Sequence, residues 1–252
     1  MSDVPIPIPP EPVAPQPERE PFWDYKDLLL FLLAGIPCLI LPLALVGGAM
    51  LLMPGVPQRK AVVLLPAQFL GYALWFVCLY ILLKTRYNRP FWKALAFVAP
   101  GEGLGRFVLY GPMVAMIIAG LAAALHTPQV EMPIRELLRD RTSLVLVGVF
   151  AITLGPIAEE LAFRGFLMPL LVRSTGPVLG VLLTALPFAV LHGPQYAWSW
   201  QHVLLLSFAG CVFGWIRLRT GSTVSASITH AAYNLTFFVA YLLQEKDLPS
   251  KW

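Results

Sequence analysis

Charge is what this chain has least of. Only 13% of its 252 residues are Asp, Glu, Lys or Arg, against 58% that are hydrophobic, and the mean hydropathy is +0.71. A soluble domain carries roughly twice that share of charge, about 25%. The deficit excludes a water-soluble globule and points to a polytopic membrane protein. Cysteine is scarce as well. Cys38, Cys78 and Cys211 are three, an odd number, and all fall in apolar runs. They read as small hydrophobes, with no disulfide framework and no thiolate metal site. No aspartate lies deep in an apolar run, which excludes a two-aspartate intramembrane protease. No His-Glu-x-x-His is present, so there is no zincin helix, and no Gly-x-Ser-x-Gly elbow surrounds Ser222, Ser225 or Ser227. Those serines are expected to bond their hydroxyls to the helix backbone. A basic leader is missing too. The first residues carry acids and prolines, so no cleavable signal peptide is expected.

Seven apolar stretches remain: Leu28–Met53, Ala61–Leu83, Phe107–Leu125, Ser143–Val172, Pro177–His192, Val203–Ile216 and Ser222–Leu243. The expected fold is all-α, a polytopic transmembrane bundle of about 7–8 membrane helices. The eighth would arise if Ser143–Val172 or the segment near Phe91–Ala99 folds as two elements. Ser143–Val172 exceeds a ~30 Å hydrocarbon core at ~1.5 Å per residue. It should therefore tilt, break at Pro156, or protrude. Phe91–Ala99 is expected to form a short interfacial helix. Gly210 and Gly214 make a small-xxx-small pair that permits close helix contact.

The chain divides into a proline-rich tail with an interfacial anchor (1–26), N-terminal membrane helices and loops (27–142), a membrane core (143–243) and a polar C-terminal tail (244–252). Eight prolines in residues 1–21 predict a disordered tail of polyproline II character. Phe22, Trp23 and Tyr25 beside Lys26 read as the anchor. Pro54–Pro57 predicts a turn, and Pro133–Arg141 a surface helix. The net charge of +4 sits in loops beside the apolar runs, as the positive-inside rule expects, so no nucleic-acid partner is implied. Lys84, Arg86, Arg89, Lys93 and Arg106 make the most basic loop. Placing it in the cytoplasm puts the N-terminus there and the C-terminus outside.

Against this background one segment stands out, Pro156-Ile-Ala-Glu159-Glu160-Leu-Ala-Phe-Arg164. Glu159 and Glu160 are the only acids deep in an apolar run, where each charge costs about 3 kcal/mol or more. Arg164 lies four residues after Glu160, on the same helical face, and the two predict an ion pair. Glu159 points about 100° away and has no such partner. An unpaired, desolvated carboxylate is a general-base candidate. The competing reading is one buried ion-pair cluster that locks helices together.

Three further polar groups lie in the spans. His192 ends an apolar helix, with Phe188 one turn earlier on its face. His230 and Asn234 share a face of the last span. His126 and His202 sit at run ends and read as interfacial. Bundle sites are built from inward groups on several helices, and this set supports two chemistries. In one, Glu159 and His192 deprotonate a water while His230 and Asn234 hydrogen-bond the oxyanion of a tetrahedral intermediate. In the other, Glu159, His192 and His230 bind Zn²⁺ with an open position for water. Spacing does not separate the two.

Glu159-Glu160-x-x-x-Arg164, Phe188-x-x-x-His192 and His230-x-x-x-Asn234, in that order on successive helices, resemble the CPBP family. These are the CAAX proteases and bacteriocin-processing proteins, also called the ABI family, and they include the type II CAAX prenyl endopeptidases. The resemblance covers about residues 140–240. It implies an all-helical, glutamate-dependent intramembrane endopeptidase. Glu159 is then the base and His192 shares its water. His230 and Asn234 form the oxyanion pair, and Glu160, Arg164 and Phe188 support them. Members are often described as metalloproteases. Similarity to the prenyl endopeptidases instead implies a metal-free water and no cofactor, with Zn²⁺ on Glu159, His192 and His230 as the alternative. The implied partners are the lipid bilayer and a peptide or protein substrate, which is lipidated in eukaryotic members. The implied location is a bacterial inner membrane. Two other readings stay open. One is a non-enzymatic immunity or scaffold protein with a structural polar cluster. The other is a proton-coupled transporter using Glu159.

Overall fold

Apolar residues without charge can cross a membrane only if every backbone group bonds within its own segment, and the chain meets this with helices. The computed structural model describes residues 20–53, 60–101, 103–130 and 140–244. Among them there is no strand. The helices are α1 (Tyr25–Leu51), α2 (Lys60–Tyr87), the single turn α3 (Phe91–Ala94), α4 (Gly105–Ala124), α5 (Arg141–Thr175), α6 (Pro177–Leu191), α7 (Trp200–Thr220) and α8 (Thr223–Gln244). Five of them, α1, α2, α4, α5 and α7, are long and apolar enough to cross a membrane. The remaining two apolar stretches of the expected seven also form helices. However, α6 has only 15 residues, and α8 carries a buried polar face of Thr223, Ser225, Ser227, Thr229 and His230. The bundle is all-α and multi-pass. The proline-rich residues 1–19, the Pro54–Pro57 turn, residues 133–139 of the expected surface helix and the tail 245–252 lie outside the described residues.

Aromatic residues at the edge of a run read as an interfacial anchor, yet Trp23 is 1% exposed. Its Nε1 donates to the Phe166 carbonyl at 3.1 Å, and its ring stacks on Phe166. Trp23 is thus a core plug that fastens the start of α1 to α5, while Tyr25 of the expected anchor stays exposed. Asp24 caps α1. Its carboxylate accepts from the Lys26 and Asp27 amides, which holds its pKa below the usual carboxylate value. Asp27 returns a bond to the Asp24 amide, completing a capping box. Asp27 is itself fully buried and pairs with Arg86 and Tyr87 at the end of α2. This ties the start of α1 to the end of α2. Pro37 and Pro42 lie inside α1 without ending it.

The expected interfacial helix at Phe91–Ala99 is only the turn α3. Its continuation turns inward instead. Leu95 is buried, and the Leu95, Ala96 and Val98 carbonyls accept from Thr223 Oγ1, the Thr223 amide and Ser222 Oγ. These bonds cap the N-terminus of α8, whose orphan amides need partners in a dry interior. The last helix is thereby set in depth relative to the segment that follows α3. Ser227 and Thr229 bond back to carbonyls four residues earlier, as expected for hydroxyls in such a helix. Ser225 Oγ finds no partner among the described residues.

Close helix contacts complete the frame. The Gly210/Gly214 face of α7 meets Ala185 and Val181 of α6, as the small-residue pair predicts. The tightest approach is at Gly111 of α4. A Cβ there would lie 2.4 Å from Ala232 Cβ and 2.5 Å from the Tyr233 amide of α8. Neither atom is the tip of a flexible chain, so Gly111→Ala must separate α4 from α8. It is expected to cost about 1–3 kcal/mol, as overpacking does, and to lower the detergent melting temperature. Gly47→Ala, which meets nothing within 4 Å, is expected to leave melting unchanged or raise it.

Candidate active site

The two glutamates stand on α5, which does not break at Pro156. It runs unbroken from Arg141 to Thr175 through two five-residue-register segments, Phe150–Leu154 and Leu161–Leu167. Such π turns are frequent at functional sites. Proline explains the first. Pro156 has no N–H to give, so one carbonyl in the preceding turn loses its partner. Gly155 N–H bonds to the Phe150 carbonyl, and in that register Pro156 would have served Ala151. The Ala151 carbonyl instead accepts Asn234 Nδ2 from α8 at 2.7 Å. One N–H of the expected oxyanion amide is therefore committed to holding α8 on α5.

Glu160 and Arg164 pair as the helical spacing predicts. Arg164 Nη1 donates to Glu160 Oε1 at 2.8 Å, and both side chains are fully buried. Arg164 Nη2 donates to the Gly210 carbonyl of α7 at 2.8 Å. The Phe188 ring covers the guanidinium at 4.6 Å and Phe213 lies 5.5 Å from it. His230 Nδ1 meets the same Glu160 Oε1 at 2.9 Å. Glu160 thus joins α5 to α8, and Arg164 joins α5 to α7. An ionised carboxylate only accepts, so the His230 Nδ1 proton belongs on this bond. The His230 ring lies flat on Phe213, with centroids 4.6 Å apart. These contacts leave its Nε2 edge facing Glu159.

Glu159 is different in kind. Its closest polar neighbours are His230 Nε2 at 3.8 Å and His192 Nε2 at 4.0 Å, both measured from Oε2. Neither distance is a hydrogen bond. His192 Nδ1 bonds the Phe188 carbonyl at 2.8 Å, which assigns the proton to Nδ1 and leaves Nε2 as an acceptor. Glu159 and His192 keep 24% and 21% of their side-chain surface, whereas Glu160 and Arg164 keep none. The buried pair is framework, and the open pair stays accessible. Six of the seven residues expected from the sequence meet here, on α5, α6 and α8, and Asn234 lies one turn after His230, bonded to Ala151. Phe213 and the Gly210 carbonyl were not foreseen as members. The only sequence sign of them was the small-residue pair that brings α7 close.

The donor set Glu159, His192 and His230 is one that zinc accepts chemically. Tetrahedral zinc donors at 2.0–2.2 Å stand about 3.4 Å from one another. The 3.8 and 4.0 Å separations are wider, and no cluster of three His, Cys, Asp or Glu among the described residues has metal-site geometry. The residues as placed do not close on a metal, and the chemistry below uses none.

Residues 141–236 match the family described as Type II CAAX prenyl endopeptidase Rce1-like. No curated protein and no solved structure matches the chain. The matched stretch runs from the first residue of α5 into α8 and contains Glu159, Glu160, Arg164, Phe188, His192, His230 and Asn234. This stretch, 96 of the chain's 252 residues, is similar to the family of type II CAAX prenyl endopeptidases, Rce1-like.

Proposed function

We propose that Glu159 and His192 activate a water that hydrolyses a peptide bond near the membrane surface. The observation that carries this reading is the 4.0 Å gap between Glu159 Oε2 and His192 Nε2. Two acceptors at that spacing take both protons of one water at about 2.8 Å each. The water's lone pair then points away from both. Its oxygen attacks the scissile carbonyl carbon as a proton passes to Glu159. The oxyanion is stabilised by the second N–H of Asn234 and by the Nε2–H of a doubly protonated His230, whose Nδ1–H is held by Glu160. Collapse breaks the C–N bond, and the Glu159 proton goes to the leaving amine. The products are a carboxylate and a shortened amine.

The substrate of this reading is a peptide whose cleavage point lies close to a lipidated cysteine, in a bacterial inner membrane. A purely structural role for the cluster is a poorer account of Glu159 and His192. They share no short bond, and both stay accessible. The test is cleavage of a quenched fluorescent farnesylated CAAX-type peptide by detergent-purified protein, with and without a strong chelator. Chelator-insensitive cleavage is expected. Loss on chelation with recovery on adding Zn²⁺ would replace the water scheme with a metal one.

A further inference from the structure

The matched stretch begins at residue 141, so α2 lies outside it. No charged residue lies between Ala61 and Leu83, and Gln68 is the only amide there. Gln68 is nevertheless exposed. It is eight residues into α2, roughly 12 Å from the helix start. An unserved amide in hydrocarbon costs several kcal/mol, which favours a polar surrounding for this side chain. Gln68 Nε2 donates to Tyr72 Oη at 2.9 Å. That bond occupies a lone pair and leaves the phenol O–H as a donor with no acceptor among the described residues. The Tyr72 ring stacks on Phe150, with centroids 6.1 Å apart. Phe150 immediately precedes Ala151, the residue that anchors Asn234. Tyr72 also lies within electrostatic reach of Glu159. The ring is therefore fixed by α5, and the hydroxyl by Gln68, on the Glu159 side of the bundle.

We infer that Gln68 and Tyr72 form the substrate-facing wall opposite Glu159, with Tyr72 O–H donating to a backbone carbonyl of an extended peptide. This deepens the protease reading and rests on it. Tyr72 is a positioning residue here, since it holds the peptide without touching the reacting water. A backbone carbonyl is its natural acceptor, because every peptide offers one whatever its side chains. The N-terminal helices then contribute to binding, and the matched core contributes the chemistry.

Tyr72→Phe isolates the claim, because phenylalanine keeps the stack on Phe150 and removes only the hydroxyl. The experiment measures fluorescence anisotropy of a labelled farnesylated CAAX-type peptide on Glu159→Gln protein in detergent, where no turnover intervenes. Adding Tyr72→Phe is expected to weaken binding about three- to tenfold, the worth of one hydrogen bond. Gln68→Leu frees the phenol to rotate and is expected to lose affinity in the same direction. Tyr80→Phe is the control, since its ring packs on Phe91, and it should bind as the parent does. In the active protein, Tyr72→Phe should raise KM by a similar factor with kcat nearly unchanged. Affinity within about twofold of the parent, in a protein that cleaves normally before substitution, would overturn this inference alone. A parent that neither binds nor cleaves the peptide would overturn the protease reading and this inference with it.

Discussion

Glu159→Gln is expected to cut turnover by about 10³-fold while leaving folding and peptide affinity close to those of the parent. The size is the middle of the range that a positioned general base contributes. The selectivity follows from geometry. Glutamine has the shape of glutamate and can still accept a bond from water, but it takes no proton at neutral pH. The lost charge makes no short ion pair, since the His230 and His192 Nε2 atoms are 3.8 and 4.0 Å from it, and a quarter of the Glu159 side chain is accessible. Two measurements on one preparation decide the matter. Peptide cleavage should collapse, and the detergent melting temperature should hold. Melting that falls as far as it does for Glu160→Gln would make Glu159 part of the lock. Turnover within about tenfold of the parent would remove it as the base.

That prediction was open to the sequence because helical spacing alone separates Glu159 from the Glu160–Arg164 face. The same local rules failed wherever long-range bonds decide. A break at Pro156 is one of three outcomes that the length of Ser143–Val172 allows, and α5 runs on because Asn234, 78 positions later in the chain, takes the carbonyl that proline leaves unserved. Trp23 reads as an interfacial belt residue, and it is core because Phe166 offers both a ring and a carbonyl. The segment after Phe91 reads as an interfacial helix, and most of it instead caps α8. Asp27 reads as an acid at the edge of a span, and burial with Arg86 and Tyr87 makes it a staple. Helices, their polar faces and the motif spacing are local properties and could be read. Which helix closes over which carbonyl is a property of the fold, and no periodicity contains it.

The Glu160–Arg164 pair yields the second large effect, and here the single and double variants should diverge. Glu160→Gln removes the carboxylate charge paired with the buried Arg164 guanidinium and leaves it neutral acceptors, the glutamine oxygen and the Gly210 carbonyl, beside the Phe188 and Phe213 rings. Arg164→Leu leaves a buried carboxylate whose other partner is His230. Breaking one side of a buried pair costs about 3–5 kcal/mol, enough to remove most folded protein from a detergent extract. Replacing both charges by apolar groups is often close to neutral, because neither is stranded. Glu160→Met with Arg164→Leu should therefore melt well above either single variant, less the roughly 1–3 kcal/mol for the His230 Nδ1–H left without its acceptor. Its turnover should nonetheless stay low, by about 10²-fold, because His230 Nδ1 has lost the carboxylate that sets its ring opposite Glu159. A double variant no more stable than the sum of the singles would show that the two charges are not coupled. A stable and fully active double variant would show that His230 needs no orienting partner. A stable but nearly inactive one would mean that the buried pair, though it never meets substrate, is kept for the geometry it imposes on α8.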